Sequence, residues 1–188
     1  MKSQLLVTAI GEDRPGIVAR LTEVFVKHNG NVEESRMALL GGEFAAIILV
    51  ALPAERVDGL KRELDNLSNE IINVTVKPTS AHDPKRFAGH SHYEINLTGA
   101  DHEGIVHKVS AWLRDRSINI LSMSTEVVSA PVSGTPLFCM NAIVVVPSSL
   151  TENELRNEMT KIGSQENVEI KVSPSKESAK HTEHAIHS

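Results

Sequence analysis

The sequence is poor in cysteine and aromatic residues, and each shortage excludes a class of structure. Cys139 is the single cysteine among 188 residues, so neither an internal disulfide nor a four-cysteine zinc site can form. Its apolar neighbours, Phe138 and Met140, predict a buried structural thiol. Aromatic residues make up 3% of the chain, so aliphatic side chains have to fill the core.

Long apolar runs and clusters of basic residues are also lacking. No stretch approaches the roughly 18 apolar residues that a membrane span requires, and the start, QLLVTAI, lacks the pattern of a secretory signal. We therefore expect a cytoplasmic protein. The formal net charge of -5, with no run of Lys and Arg, disfavours direct DNA binding.

An internal repeat organises the chain. The segment GEDRPGIVARLTEVFVKHNGNV, which begins at Gly11, aligns without gaps with GADHEGIVHKVSAWLRDRSINI, which begins at Gly99, at an offset of 88 residues. The identical pairs include Asp13/Asp101, Gly16/Gly104 and Asn31/Asn119. The repeat predicts two domains with one fold.

Each copy has the same order of predicted elements. A strand over 5–10 precedes a helix whose apolar face carries Ile17, Val18, Leu21, Val24 and Phe25. Two strands, 31–40 and 43–52, are joined at Gly41-Gly42, which is typical of a tight hairpin. A second helix and a strand over 71–76 complete the unit. The second copy differs in a longer hairpin connection over 129–136.

This order predicts an α+β protein of two ferredoxin-like βαββαβ domains, each a four-stranded antiparallel sheet with two helices on one face. We expect the first domain over residues 1–78, a linker over 79–89 and the second domain over 90–174. Residues 175–188 have no hydrophobic pattern, which predicts a disordered tail.

The turn between the first strand and the first helix is the chemically interesting segment of each copy. Asp13 and Asp101 are predicted to cap the helices by accepting backbone N–H bonds, and Pro15 suits a first helical turn. The flanking glycines allow positive φ or close backbone approach. The amides at such a helix start can bind a carboxylate, although the same features also suit a purely structural turn.

The motif Gly-x-Asp-x-x-Gly-Ile-Val, followed about 13 residues later by Asn-Val or Asn-Ile, resembles the ACT domain signature. Two such domains without a catalytic domain resemble the glycine cleavage system transcriptional repressor family. The resemblance implies a regulatory protein that binds an amino acid, often between domains, and signals to a partner protein. The ligand-binding residues it implies are Gly11, Asp13, Arg14, Pro15, Gly16 and Asn31, and in the second copy Gly99, Asp101, His102, Gly104 and Asn119.

The second copy departs from the first where His102-Glu103 replaces Arg14-Pro15. An added acid beside the turn disfavours a carboxylate ligand, so the first copy is the stronger candidate site. The ligand would be an amino acid such as glycine or serine, in a protein that could form a homodimer. A ligand-free scaffold for protein interactions is the alternative hypothesis.

Other chemistry finds little support in the sequence. His82, His90 and His92 have no cysteine or carboxylate at metal-ligand spacing, so we expect no metal site. The chain contains no GxSxG elbow, no GxxxxGK[ST] phosphate loop and no GxGxxG fingerprint. We therefore expect a non-enzymatic protein without a cofactor.

Overall fold

The structure, a computed structural model, describes residues 1–68, 72–80, 86–130 and 134–175. The chain divides into two compact units, residues 1–82 and 83–188. Part of the predicted linker, 81–85, and nearly all of the predicted tail, 176–188, lie outside the described residues. The linker bounds and the disorder of the tail stay predictions.

The first unit is a four-stranded antiparallel sheet with strand order β2-β3-β1-β4. Its elements are β1 (Lys2–Glu12), α1 (Ile17–Lys27), β2 (Asn31–Leu40), β3 (Glu43–Pro53), a short 3-10 turn (Ala54–Arg56), α2 (Val57–Ser68) and β4 (Asn73–Thr79). Gly41 and Gly42 join β2 to β3 with φ of +62° and +87°. Two successive positive φ angles match the right-handed twist of the strands, so the predicted hairpin is confirmed.

The core of the first unit lies between the helices and one face of the sheet. Strand β1 alternates, with Leu5, Val7 and Ala9 buried. Helix α1 buries Ile17, Leu21, Val24 and Phe25, whose spacing of three and four keeps them on one stripe. The prediction for Val18 is wrong, because it lies at the margin of this stripe and is 39% exposed.

The second unit repeats this arrangement with strand order β6-β7-β5-β8. Its elements are β5 (Ser91–Ala100), α3 (Ile105–Asp115), β6 (Asn119–Ser129), β7 (Pro136–Val146), α4 (Glu152–Glu166) and β8 (Val168–Pro174). The predicted α+β class, with two ferredoxin-like domains, is confirmed. The longest helix of the described ranges has 15 residues, and no helix there combines the length and apolar character needed to cross a membrane.

The prediction of a buried thiol is wrong. Cys139 lies in β7 between Phe138 and Met140, both of which are buried in the core. Because side chains alternate along a strand, Cys139 points to the opposite face of the sheet and is only half-buried. The apolar neighbours of Cys139 correctly predict a strand, but they do not show on which face of the sheet its side chain lies.

Strands β2 and β6 form equivalent edges of the two sheets, and each carries a bulge. The register of β2 against β3 shifts between Val32 and Glu34. The register of β6 against β7 shifts between Ile120 and Ser122, the same positions of the repeat. A bulge leaves one residue out of the ladder and redirects its side chain, here Glu33 in the first unit.

Candidate functional site

The first turn begins helix α1 with a glycine rather than with a side-chain cap. Gly16 is the N-cap residue, with φ of +95°, and no side chain bonds to the amides at the helix start. The predicted capping by Asp13 is therefore wrong. The left-handed Gly16 starts the helix three residues after Asp13, whose own N–H donates to the Gly42 carbonyl at 3.1 Å. Pro15 correspondingly lies before the helix, not in its first turn.

The second turn has the same backbone. Gly104 is the N-cap of α3, with φ of +92° and no side-chain cap, so the capping predicted for Asp101 is also wrong. The positive φ expected for Gly16 and Gly104 is confirmed. Neither helix start has a side-chain cap, and the Ile17 N–H of α1 donates to the Arg14 carbonyl at 3.4 Å. The helix dipole leaves a partial positive charge at each start.

Arg14 and His102 occupy equivalent positions but have different partners. An Arg14 guanidinium nitrogen lies 2.5 Å from Glu12 Oε2, and both side chains are exposed. His102 Nε2 lies 2.9 Å from the backbone oxygen of Glu166, and Nδ1 lies 3.2 Å from the backbone oxygen of Glu103. Only an imidazolium can donate from both nitrogens, so these carbonyls, the Glu166 carbonyl first, raise the pKa of His102.

Glu166 extends this cluster with a buried carboxylate. The residue is 8% exposed and forms an ion pair with Lys108, while its other oxygen lies 3.9 Å from His102 Nε2. The second turn is therefore tied to the end of α4. No motif singles out Glu166, but the repeat pairs Lys108 with Arg20, which contacts no acid in the described part of the first unit.

The strand glycines preceding the turns have a different role from Gly16 and Gly104. Gly99 is in β5, opposite Val168 of β8. An added Cβ would lie 2.4 Å from Val168 Cγ1 and 2.8 Å from its Cα, so the predicted close approach is confirmed there. Gly11 is in β1, opposite Phe44 of β3.

The two asparagines lie far from the turns of their own units. Asn31 begins β2 and is opposite Ala51, which is opposite Gln4 near the start of β1. The turn follows the other end of β1, which is Glu12, eight residues beyond Gln4, or about 26 Å along the strand. Asn119 has the same place in the second unit, opposite Val145. Within one unit, a small ligand cannot contact both.

A cleft of about 610 Å³ lies at the asparagine end of the first unit. Its walls include Lys2 and Gln4 of β1, Glu33 of the β2 bulge, Ala51 of β3 and Val57 of α2. Gln4 Nε2 donates a hydrogen bond of 2.7 Å to Glu33 Oε2. The repeat analysis does not point to this cleft, because Glu33 and Gln4 fall outside the aligned identities.

Three histidines between residues 82 and 92 are the candidate metal ligands of the sequence. His90 lies just before β5 and His92 at its start, and His82 lies outside the described residues. Within the described ranges, no three His, Cys, Asp or Glu side chains gather as a metal site would require.

Sequence comparisons with known proteins match segments no longer than one unit of this chain. The ACT domain family matches residues 3–76. A UPF0237 protein of Methanopyrus kandleri is 38% identical over 78 residues, which cover 40% of this chain and 87% of that protein. The glycine cleavage system transcriptional repressor of Escherichia coli is 47% identical over 47 residues, 25% of each chain.

Solved structures match nearly the whole length. An unknown protein from Galdieria sulphuraria has a TM-score of 0.81 and 30% identity, covering 93% of this chain and 99% of that one. A candidate glycine cleavage system transcriptional repressor has a TM-score of 0.66 over 92% of this chain and 97% of its own, and its 23% identity shows a shared fold. This chain therefore belongs to the UPF0237 family and is a tandem ACT-domain protein that resembles the glycine cleavage system transcriptional repressors.

Proposed function

We propose that this chain is a non-enzymatic regulatory protein that binds an amino acid and signals to a partner protein. The observation that carries the proposal is the uncapped, glycine-initiated helix start of α1, in a domain of the ACT family. Backbone amides there suit a ligand carboxylate, and Arg14 beside them adds positive charge. Control of glycine cleavage or amino-acid metabolism genes is the finer form of this proposal, supported by the similarity to the repressors.

The first turn is the better candidate of the two. In the second unit His102 and Lys108 already contact Glu166, and Glu103 adds an acid to the turn. Among the described residues of the first unit, Arg14 forms an ion pair with the exposed Glu12 alone. A carboxylate ligand would therefore meet less competition at Gly16 than at Gly104.

A homodimer is part of the proposal because of where Asn31 lies. Because a small ligand cannot reach the turn and the asparagine of one unit, we propose that the asparagine comes from the β2 strand of a second copy of the protein. Strand β2 pairs only with β3 in the described residues, and it exposes Met37, Leu39 and Leu40. An exposed edge with apolar side chains is suited to pairing with another chain.

The partner that receives the signal would be a protein. A net charge of -5 disfavours direct contact with DNA phosphates, so a transcriptional role would act through another regulator. Ligand binding would work by favouring one arrangement of the assembly over another. The cytoplasmic location expected from the sequence stays part of this proposal.

Calorimetric titration with glycine and serine tests the proposal. Asp13 lies in the turn where we place the ligand, so Asp13→Ala should weaken amino-acid binding. The melting temperature should stay unchanged, because the Asp13 side chain does not cap the helix. Asn31→Ala should weaken binding and reduce the dimer fraction together. No heat with any common amino acid at millimolar concentration would favour the ligand-free scaffold, and a search for protein partners would follow.

A further inference from the structure

We propose that the outer face of the first unit's sheet, the face away from α1 and α2, binds the same face of a second copy of the chain. This interface is separate from the dimer of the proposed function, in which β2 strands pair edge to edge. Four features support it: the apolar centre of the face, its contrast with the second unit, its area, and the charges at its two margins.

The outer face carries aliphatic side chains along its two central strands. Because Leu5 and Val7 of β1 are buried in the core, the residues that alternate with them lie on the outer face. Ile10 is 55% exposed there, and Ile47 of β3 is 43% exposed. A contiguous apolar surface that remains in contact with water marks an interaction site. The residues of this face in the two strands are Leu6, Thr8 and Ile10 of β1 and Ala45, Ile47 and Leu49 of β3.

The hydroxyl groups on this face already have a partner. Thr8 Oγ1 of β1 lies 2.5 Å from Thr75 Oγ1 of β4, so one hydroxyl donates to the other. Burying a hydrogen-bonded hydroxyl costs less than burying one that has lost its water and gained no partner. A protein surface can therefore cover this row of the sheet without supplying polar groups of its own.

The outer face of the second sheet is polar at the corresponding positions. The repeat and the strand pairing place Glu94 at the position of Leu6. They place Asn141 at the position of Ile47. Asn141 Nδ2 donates to Glu94 Oε1 at 2.5 Å and to Asn96 Oδ1 at 2.8 Å. The apolar outer face is thus a property of the first unit and not of the fold that the two units share.

The face is large enough for a specific dimer. Four strands about 4.8 Å apart make it about 19 Å wide, and the stretch of β1 from Gln4 to Glu12 makes it about 26 Å long. Two such faces bury about 1,000 Å² in total when they pack together, which reaches the area that a specific interface needs. Facing sheets pack about 10 Å apart with their strands nearly aligned, so both apolar centres can interdigitate.

Opposite charges lie at the two margins of the face. The row through Leu6 and Leu49 ends with Lys77 on β4 and with Glu34 on β2. In a two-fold dimer whose axis is parallel to the strands, β2 of each copy faces β4 of the other. Each Glu34 then lies opposite Lys77 of the second copy. Glu34 also pairs with Arg36 at 3.1 Å, and a carboxylate can accept from both cations. The face is therefore complementary to itself in charge.

Cross-linking with a carbodiimide tests this geometry. Within one chain Glu34 and Lys77 lie on opposite edges of the sheet, about 14 Å apart, which is farther than the two side chains can reach. In a mixture of ¹⁴N- and ¹⁵N-labelled full chains, mass spectrometry should find Glu34 of one copy joined to Lys77 of another. Lys77→Arg is the matched control: it keeps the charge and the assembly but loses the link. No such link in the wild type would overturn the proposal.

Sedimentation equilibrium of the full chain tests the apolar centre. Ile47→Asn installs the residue of the second unit and should halve the mass of the assembly, from tetramer to dimer if β2 edges also pair and from dimer to monomer if they do not. Met37→Asn is the control, because Met37 pairs with the core residue Ala46 and lies on the other side of β2. It should leave the interface between faces intact.

A charge exchange keeps the test decisive if Ile47→Asn misfolds. Lys77→Glu places acid opposite acid twice and should weaken assembly about tenfold, and adding Glu34→Lys should recover most of that loss. An unchanged mass for both Ile47→Asn and Lys77→Glu would overturn the proposal. A monomeric wild type would also overturn it and leave the face to a different protein. Loss of mass with Met37→Asn alone would refute this interface and support the β2 edge of the proposed function.

Discussion

His102 Nε2 lies 2.9 Å from the backbone oxygen of Glu166, a residue 64 positions further along the chain. This contact joins the turn before α3 to the last residue of α4, and the Lys108–Glu166 ion pair lies beside it. The carbonyl needs a donor, and a second carbonyl faces the other ring nitrogen. Protonated His102 can donate to both carbonyls at once, so we expect its protonation to stabilise the second turn.

The first prediction concerns pH. The pKa of His102 is raised above 6.5 in the folded state, so the imidazolium stabilises the second unit fully below about pH 6.5. This contribution is lost as the pH rises through the raised pKa. Between pH 5.5 and 9, the melting-temperature difference between wild type and His102→Gln should be largest at the acidic end and shrink with rising pH.

His107→Gln is the matched control, because His107 is an exposed histidine in α3, the helix that follows the His102 turn. Its effect on the melting temperature should be small, because exposed substitutions usually change stability little. If His102→Gln also runs parallel to the wild type, the two carbonyl contacts do not govern the titration. A side-chain NMR titration of His102 gives the folded-state pKa directly.

The second prediction concerns the buried carboxylate of Glu166. Lys108→Met should lower the free energy of unfolding of the second unit by about 1–2 kcal/mol, because a buried charge loses a partner. Trp112, the single tryptophan, lies in this unit and reports its urea unfolding by fluorescence. Adding Glu166→Gln should recover part of the loss. Additive effects of the two substitutions would show that Lys108 and Glu166 do not interact energetically.

The third prediction separates two uses of glycine. Gly99→Ala should destabilise the second unit by about 1–3 kcal/mol, since the new Cβ would overlap Val168, including its Cα. Gly104→Ala meets no atom within 4 Å but adopts a left-handed backbone, which costs about 1–2 kcal/mol. Asparagine tolerates that backbone, so Gly104→Asn should be milder than Gly104→Ala. Gly99→Asn should be no milder than Gly99→Ala.

The fourth prediction concerns the start of α4. Thr151 caps this helix: its Oγ1 accepts from the Glu154 N–H, and the Glu154 carboxylate accepts from the Thr151 N–H. Thr151→Ala should therefore cost the second unit about 1 kcal/mol in urea unfolding. Thr160→Ala removes a hydroxyl that donates to the Arg156 carbonyl within the helix and should be close to neutral. Equal losses for the two variants would contradict a capping role.

The fold was predictable because local pattern and global packing agree. The spacing of Ile17, Leu21 and Val24 marks a helix with one buried face, and Gly41-Gly42 marks a hairpin. Because the second copy aligns with the first, the elements predicted for one unit also predict those of the other. The predicted burial of Val18 and Cys139 is wrong. The exposure of a residue at the margin of a helix stripe, or on one face of a strand, depends on tertiary packing that the neighbouring residues in the sequence do not reveal.

The candidate sites were less accessible to sequence reasoning. Aspartate before a helix is usually a cap, and only the left-handed Gly16 shows that the helix starts three residues later. Asn31 recurs with the turn in sequence, yet the antiparallel register places it at the other end of the sheet. The contact between Gln4 and Glu33 depends on a bulge and on a small residue in an intervening strand, and neither has a sequence signature.

The matching bulges in β2 and β6 have a historical consequence. Both shifts fall at the same place in the repeat, which implies that a single ancestral domain already carried the bulge before it was duplicated. The residue at the bulge is an acid, Glu33, in the first unit and Leu121 in the second. The two halves are thus not interchangeable: a chain made of two first halves would carry glutamate at both bulges, and a chain made of two second halves would carry leucine at both.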